Sequence, residues 1–403
     1  MLKVVWVSCR VCTNLLVIGA SARALAASAG RLGLVVNAID LFGDRDLRDV
    51  CSQVVQVSAD AYPDAVPSIA AGFPAGPVVY TGGLENHTEV IEKLSRARLL
   101  LGNHPRAVRL VRDPRFVREV ARKNGCAYPD TFFTSSKVPR DGTFLRKSTV
   151  SIGGLGVRLW KGLREEPVQG KEYWQQFVSG VPLSASLHVT PEGVELLGVC
   201  RQLIGMKWCH AKQFRFCGAI QLSPSVFQQH VLKQLHHFAI DLSQRAKLTG
   251  LIGIDFILPR APIRARGRSA VILEVNPRPT ATMELFERRT GRSQAGQQLT
   301  SLGFQLPRES TALEHRSNMY WGKAVLFADK SLDVSSSIER HFLKCSSRMQ
   351  GCELGWPMIS DLPCSGTIIQ PGHPIVSVFG CAESPRCALR KLRMHVGEVM
   401  QGL

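Results

Sequence analysis

The chain has 403 residues, of which 45% are hydrophobic and 20% are charged, a balance typical of a globular protein. Because the length exceeds what one ordinary core supports, we expect two to three domains. No apolar run reaches the roughly 18 to 20 residues that a membrane helix needs, so we predict no membrane partner.

The net charge of +18 raises the question of nucleic-acid binding. The densest basic patch runs from Arg96 to Lys123, with arginines mostly three or four residues apart. The patch includes Arg106, Arg109, Arg112, Arg115, Arg118 and Arg122. Phe116 is the only aromatic residue in the patch, and the chain carries no zinc-finger or RNA-binding motif. We therefore predict a solvated helical face and no specific nucleic-acid partner, although an anionic small substrate fits the charge equally well.

The first thirty residues superficially resemble a signal peptide. Gly19 and Ala20, however, end a strand-like run where the turn of a nucleotide fold would lie, and we predict a cytoplasmic protein. Twelve cysteines are scattered along the chain, and in that compartment we expect reduced thiols. The pair Cys9 and Cys12 is a weak metal or redox signal, and small buried side chains are the favoured interpretation.

Residues 14–41 predict a strand, a glycine turn, a small-residue helix and a second strand. This βαβ pattern indicates a parallel sheet. The turn Gly19-Ala20-Ser21 lacks the G-x-G-x-x-G series, so we infer no bound NAD. A further buried strand is predicted at 77–80, followed by the turn Thr81-Gly82-Gly83.

The middle of the chain alternates between helical and strand-like patterns. We predict helices at 105–125 and 224–247, a glycine-rich loop at 148–157, and strands at 143–147, 183–189, 194–199, 251–258 and 270–276. A basic loop at 259–269 joins the last two strands. After about residue 300, Ser, Cys and Pro increase, and residues 361–375 predict short strands between tight turns.

Two late strands carry polar residues that share one face. Strand alternation places Glu274 and Asn276 on the same face of the strand at 270–276. On the strand at 251–258, Asp255 lies on the face opposite to Ile254 and Phe256. If the strands pair as a hairpin, Asp255, Glu274 and Asn276 converge. Two carboxylates and a carboxamide oxygen suit Mg²⁺. The alternative is an ordinary strand end with exposed polar groups.

Lys147 precedes a loop that contains Ser151, Gly153, Gly154 and Gly156. A cation followed by flexible backbone N–H groups is a combination that can wrap phosphates. The loop is not a Walker A motif, because no G-K-[ST] closes it. Taken alone, the glycine-rich loop is better explained as a plain hairpin turn.

The order of five segments along the chain resembles the ATP-grasp superfamily. They are the nucleotide-fold N-terminus, Lys147 with its loop, and segments 173–186, 250–258 and 272–278. The chain looks most similar to the carboxylate–amine ligase branch linked to tetrahydromethanopterin and methylofuran in one-carbon metabolism. The resemblance implies an α/β protein with an α+β ATP-grasp part. It implies a Rossmann-like domain at 1–104, an ATP-grasp domain at 105–300 and a small β-rich domain at 301–403. The ATP-grasp domain would divide into subdomains 105–182 and 183–300.

The resemblance also implies roles for individual residues. Lys147 would contact ATP phosphates, and Ser151, Gly153, Gly154 and Gly156 would belong to the loop that covers them. Gln176, Phe177 and Val178 would line the adenine, with Gln176 where the family often has Glu. Asp255, Glu274 and Asn276 would bind Mg²⁺, with Mn²⁺ as an alternative, and Arg278 would face the transferred phosphoryl group. The family's second ATP-contacting lysine has no clear counterpart, and Arg112 is the nearest basic candidate.

The function that the resemblance implies is an ATP- and Mg²⁺-dependent ligase. A carboxylate would form an acyl phosphate, and an amine would displace the phosphate. The partners would be a small-molecule carboxylate and an amine, and a homodimer is compatible with this function. Glutamate or a pterin- or furan-linked amine is suggested by resemblance only. Carboxyphosphate chemistry like that of biotin carboxylase, or a non-catalytic nucleotide-binding regulator, are the alternatives.

Overall fold

The computed structural model describes residues 13–162, 172–260, 269–305, 317–349 and 356–403. The signal-peptide-like run up to residue 12, including Cys9 and Cys12, lies outside these ranges. The same holds for residues 261–268 of the predicted basic loop. Among the described residues, no helix combines the length and the apolar content that crossing a bilayer requires.

The N-terminal part is a four-stranded sheet in the order β3-β2-β1-β4, in which β1 pairs in parallel with both β2 and β4. The strands are β1 (Asn14–Ile18), β2 (Val35–Asp40), β3 (Gln53–Gln56) and β4 (Val78–Tyr80). The helices are α1 (Arg23–Gly30), α2 (Arg45–Arg48), α3 (Val66–Ala71) and α4 (Thr88–Ala97). This confirms the predicted βαβ unit. From β1 the chain proceeds to β2 and β3 on one side of the sheet and then returns to place β4 on the other side of β1. Open α/β sheets form a crevice for ligands at such a change in strand order.

The helix predicted at 105–125 is instead two helices, α5 (Pro105–Arg112) and α6 (Pro114–Lys123). Pro114 has no N–H to donate and disfavours a helical conformation at the residue before it. Asp113 takes an extended conformation, and its side chain accepts a hydrogen bond from the backbone N–H of Arg115. The break matters for the site because it leaves Arg112 at the end of α5.

A small antiparallel sheet follows in the order β5-β8-β6-β7. Its strands are β5 (Thr131–Phe132), β6 (Phe144–Ser148), β7 (Arg158–Leu159) and β8 (Glu172–Gln176). Trp160 and Trp174 are buried on one face, with ring centroids 5.5 Å apart in an edge-to-face contact. This aromatic cluster fixes β6 and β8 against each other, and the other face of the two strands carries Lys147.

The largest sheet has eight strands in the order β13-β12-β9-β10-β11-β14-β18-β16. Its strands are β9 (Gly180–Thr190), β10 (Gly193–Ile204), β11 (Phe216–Gln221), β12 (Gly250–Pro259), β13 (Val271–Asn276), β14 (Tyr320–Phe327), β16 (Ile359–Ser360) and β18 (Pro374–Ala382). Two short strands, β15 (Leu332–Asp333) and β17 (Ile368–Ile369), pair separately. The sheet runs across the boundary predicted at residue 300, since β11 pairs with β14. The domain division itself remains a prediction.

Within the described ranges, five helices accompany the large sheet. They are α7 (Gln229–Ala246), α8 (Met283–Thr290), α9 (Gln294–Thr300), α10 (Ser336–Arg348) and α11 (Pro385–Met400). The helix predicted at 224–247 begins later, because residues 224–226 form a single 3₁₀ turn before α7. The described residues after 300 contain helices as well as strands.

A buried ionic cluster joins the N-terminal part to the rest of the molecule. Arg23 on α1 donates to Glu284 of α8 at 2.7 Å and to Asp361 at 2.8 Å, and Lys323 of β14 lies 2.9 Å from Glu284. Burial raises the pKa of Glu284, but Arg23 and Lys323 outweigh burial and hold that pKa well below its usual value. We call these four residues the Arg23 cluster.

The cysteines correct one expectation. Eight of the described cysteines are free thiols, and five of these eight are buried. Cys381, however, is disulfide-bonded, so the expectation of only reduced thiols is wrong at this residue.

Candidate active site

The two polar strands pair as an antiparallel hairpin in which Asp255 lies directly opposite Glu274, and Gly253 opposite Asn276. Directly opposed residues share a face, so the structure brings Asp255 and Glu274 together. The register shifts after Asp255, where a bulge re-aims the strand. Asn276 joins them by donating from Nδ2 to Asp255 Oδ2 at 3.1 Å.

Asp255 is half-buried and lies among polar groups. Gln202 on β10 donates to its other carboxylate oxygen at 3.1 Å. Burial and then the neighbouring charge of Glu274 raise the pKa of Asp255 to about 6. Two carboxylates held this close favour a cation between them, because each disfavours ionisation of the other.

Cations surround Glu274. Arg112 Nη1 donates to Glu274 Oε1, so the basic candidate that the sequence placed on a helical face points into the site instead. Burial raises the pKa of Glu274, but Arg112 and Lys147 outweigh burial, and the pKa is lowered overall. The sequence offered no clear counterpart of the family's second ATP-contacting lysine, and Arg112 places a cation in the site.

Lys147 reaches the site from β6 of the small sheet. Its Nζ donates to Gln175 Oε1 at 3.1 Å and lies 5.5 Å from the centre of the Tyr173 ring. Burial lowers the pKa of Lys147, but Tyr173 and Glu274 outweigh burial and raise it. The ammonium group is therefore charged at neutral pH and near the acidic strands.

The segment predicted to line the adenine lies only partly on the face of the small sheet that carries Lys147. Gln175 faces Lys147, whereas the side chain of Gln176 is exposed and its backbone N–H bonds to Asp130. Phe177 is 45% exposed, and its ring centroid lies 6.2 Å from that of Phe214. Val178 is half-buried. Sequence reasoning missed Gln175, and strand alternation relative to Lys147 could have found it.

The glycine-rich loop lies between the N-terminal part and the hairpin connecting β10 and β11. Ser151 accepts at its backbone oxygen from Asn86 at 3.4 Å, and Phe216 N–H donates to Gly153 O at 3.0 Å. A Cβ on Gly154 would meet the backbone oxygen of Phe214 at 2.0 Å, while a Cβ on Gly156 would meet nothing within 4 Å. The backbone at Gly154 therefore packs closely, and Gly156 is open.

Arg278 lies beyond the end of β13 and faces the N-terminal part. Its Nε donates to Glu85 Oε1 at 2.8 Å, and Nη2 lies 3.4 Å from Asn276 Oδ1. Glu85 follows the turn Thr81-Gly82-Gly83 after β4, at the crevice between β1 and β4. Sequence reasoning noted this turn but missed Glu85, because a contact across 193 residues leaves no local pattern.

Together these side chains form one site with charges of both signs. Negative charge comes from Asp255, Glu274 and Glu85, and positive charge comes from Arg112, Lys147 and Arg278. Fixed cations beside carboxylates that could hold a metal are what binding and transfer of a phosphoryl group require.

Comparison with known proteins agrees with this geometry. Residues 112–282 match the model of the ATP-grasp domain family, and the match spans every site residue selected from the sequence. Residues 112–282 are therefore similar to ATP-grasp domains, and the predicted fold class is confirmed. A comparison with curated protein sequences gives no match.

Three solved structures share the fold. The biotin carboxylase domain of Hydrogenobacter thermophilus 2-oxoglutarate carboxylase, solved with MgADP, ADP and bicarbonate, is 14% identical, with a TM-score of 0.65 over 96% of this chain and 90% of that chain. N5-carboxyaminoimidazole ribonucleotide synthetase from Thermotoga maritima is 15% identical, with a TM-score of 0.62 over 94% and 96%. Campylobacter jejuni biotin carboxylase, solved with a β-γ-ATP complex, is 12% identical, with a TM-score of 0.65 over 96% and 91%. At these identities the likeness shows the fold, and the nucleotide complexes agree with the predicted ATP and Mg²⁺.

Proposed function

We propose that the protein is an ATP- and Mg²⁺-dependent ligase that activates a carboxylate as an acyl phosphate for attack by an amine. The observation that carries the proposal is the convergence of Asp255 and Glu274 with Arg112 and Lys147. These residues come from both of the predicted subdomains, 105–182 and 183–300. A ligase of this kind needs fixed charge where the phosphoryl group moves, and these side chains would supply that charge.

Asp255, Glu274 and Asn276 would hold Mg²⁺, which neutralises phosphate charge when bound. The described residues contain no cluster of three or more His, Cys, Asp or Glu side chains suited to a metal. Two carboxylates still fit Mg²⁺, because this ion is commonly bound by one or two carboxylates plus substrate phosphates. The carboxamide of Asn276 now presents its NH₂ group to Asp255, so acting as a ligand would require its oxygen to turn toward the ion.

The chain's own cations would carry the transfer. Lys147 and Arg112 would neutralise the nucleotide phosphates, and Arg278 would face the transferred phosphoryl group with its remaining guanidinium nitrogens. Gln175 would orient Lys147 through its hydrogen bond. By resemblance, we propose that the substrates belong to one-carbon coenzyme synthesis, with glutamate or a pterin- or furan-linked amine among them.

The proposal is tested by measuring ADP release from Mg-ATP with the standard amino acids and coenzyme precursors. We expect release that depends on a carboxylate, and we expect Glu274→Gln to lower it by about 100-fold or more. Glu119→Gln, at an exposed glutamate of α6, is the matched control. Undiminished ADP release in Glu274→Gln would contradict the metal and phosphate assignment.

Carboxyphosphate chemistry is the second candidate, and the fold shared with biotin carboxylases favours it. In that reaction bicarbonate would take the place of the organic carboxylate. ADP release that requires bicarbonate, and no added organic acid, would support this candidate over the first.

A further inference from the structure

The crevice between β1 and β4 contains two polar atoms that the proposed phosphate and metal chemistry does not use. Glu85 is 4% exposed, and its Oε2 is buried without a hydrogen-bond partner among the described residues. The Tyr62 hydroxyl is also buried and unpartnered within the described ranges. A buried carboxylate oxygen without a donor is costly, so a ligand that donates N–H or O–H would stabilise it.

The two atoms lie on the N-terminal part and border the same turn. A Cβ on Gly83 would lie 3.2 Å from the Tyr62 hydroxyl, and a Cβ on Gly82 would lie 3.4 Å from the guanidinium carbon of Arg278. Burial and then the nearby Glu85 raise the pKa of the Tyr62 hydroxyl, so it stays neutral. Glu85 uses Oε1 to hold Arg278, which leaves Oε2 for another partner.

We propose that Glu85 and Tyr62 form the subsite for the attacking amine, which binds as a primary ammonium group. This inference rests on the proposed ligase function. A carboxylate oxygen only accepts hydrogen bonds, and of the two substrates the amine supplies the N–H donors. Arg278 places the subsite beside the phosphoryl group, so the nitrogen would lie near the activated carbonyl.

The step balances with the groups at hand. The ammonium group gives one proton to the Glu85 carboxylate, and the free amine attacks the acyl phosphate carbon. A C–N bond forms and the C–O bond to phosphate breaks, with its electron pair leaving on the phosphate. The departing phosphate takes the second proton from nitrogen, and Glu85 later returns its proton to solvent.

The glycine-rich loop covers this subsite. A Cβ on Gly83 would lie 3.4 Å from Ile152 Cδ1, and the neighbouring Asn86 bonds to Ser151 of the loop. The same loop that would cover the ATP phosphates thus also shields the amine from water. Exclusion of water at this point protects an acyl phosphate from hydrolysis.

The test compares two nucleophiles on the full chain with Mg-ATP. The standard amino acids, ammonium and methylammonium serve as charged amine probes, and hydroxylamine serves as a nucleophile that is uncharged at neutral pH. We expect Glu85→Gln to lower the ratio of amide to hydroxamate formed by at least tenfold, and Tyr62→Phe to lower it by a smaller factor. Glu89→Gln, whose side chain is 64% exposed on α4, is the matched control and should leave the ratio unchanged.

The outcomes separate the two proposals. If Glu85→Gln lowers amide and hydroxamate equally, Glu85 only holds Arg278 and the subsite is wrong while the ligase function stands. If the wild-type chain forms hydroxamate but no amide from any probe, the amine assignment is overturned. If it forms no hydroxamate with any acid, the ligase function fails, and the subsite fails with it. Should Glu85→Gln not fold, an unchanged ratio in Tyr62→Phe overturns the subsite.

Discussion

Arg112 illustrates how the role of one side chain depends on a contact that spacing along the chain does not reveal. Its spacing of three from Arg109 and Arg115 predicts a solvated face, and those two neighbours are indeed exposed. Arg112 ends α5 and turns inward to Glu274, 162 residues away. Strand alternation did place Asp255 and Glu274 on one face, because a period of two is set by the backbone alone.

At Arg278 the geometry of the guanidinium group should matter more than its charge. Arg278→Lys keeps the positive charge, but a single ammonium cannot hold Glu85 and a phosphoryl group with the same planar fork. We expect ADP release to fall by about 100-fold while the KM for ATP changes little. Steady-state kinetics check this, with Arg109→Lys on the exposed face as the control. Equal losses in both variants would contradict the assigned role.

The raised pKa of Asp255 predicts how stability depends on pH in metal-free protein. The pKa is about 6 in the fold against an ordinary 3.8, so between these values the folded state binds more protons than the unfolded state. Asp255 therefore costs stability as the pH rises through this window. In EDTA, Asp255→Asn should raise the free energy of unfolding by about 1–3 kcal/mol at pH 7.5 and by much less near pH 4.

Urea titrations of both proteins across this pH range check the prediction. Added Mg-ATP should reverse the order at neutral pH, because the wild-type carboxylate then has a cation to bind. A difference between the two proteins that is the same at both ends of the range would show that Asp255 is not desolvated in the fold.

At the scale of elements, the strands of the site were predictable and some boundaries were not. The strands at 251–258 and 270–276 carry apolar alternation that ends in polar residues, and β12 and β13 occupy these positions within one residue at each end. The prediction of a single helix at 105–125 is wrong, because the helical spacing of side chains continues through Pro114 but the helical backbone cannot. For the glycine-rich loop, the sequence revealed flexibility but not the partner on which the loop rests, which is the backbone at Phe214.

Two glycines of the loop give a matched pair of variants. Both have positive φ, at +78° for Gly154 and +77° for Gly156, so valine strains the backbone equally at each. Only at Gly154 does a side chain also collide with backbone, at Phe214 O. Gly154→Val should therefore raise the KM for ATP by about tenfold more than Gly156→Val, with both proteins folded by circular dichroism. Equal KM values would mean that the loop does not need to rest on Phe214.

At the scale of the whole molecule, the contacts between distant parts could not be predicted. The length predicts two to three domains, and the βαβ pattern predicts the parallel sheet of the N-terminal part. Neither indicates that Glu85 faces Arg278, or that β11 pairs with β14 across residue 300. Such contacts depend on how the parts pack, and no periodicity along a single chain encodes the packing of parts so far separated.

The Arg23 cluster is another of these long-range contacts, and its contribution can be measured as stability. Arg23 is 4% exposed, and removing it leaves the buried Glu284 and the half-buried Asp361 with fewer cations. Arg23→Met should lower the free energy of unfolding by about 3–5 kcal/mol. Arg96→Met, which removes an exposed pair with Glu92, should cost about 0.5 kcal/mol or less. Denaturant titration checks both, and similar losses would show that the cluster adds no more than a surface pair.

The Arg23 cluster also sets an order of events during synthesis. Arg23 lies in the first helix, with Asp46 3.6 Å away in the same part of the chain, but the carboxylates to which it donates hydrogen bonds follow 261 and 338 residues later. Until residue 361 has left the ribosome, the N-terminal part must carry this guanidinium group without two of its acidic partners. Contacts of such long sequence separation form late, since their loop-closure entropy must be overcome before they stabilise anything. Docking of the N-terminal part, and with it the delivery of Glu85 to Arg278, should therefore be a late and slow step of folding.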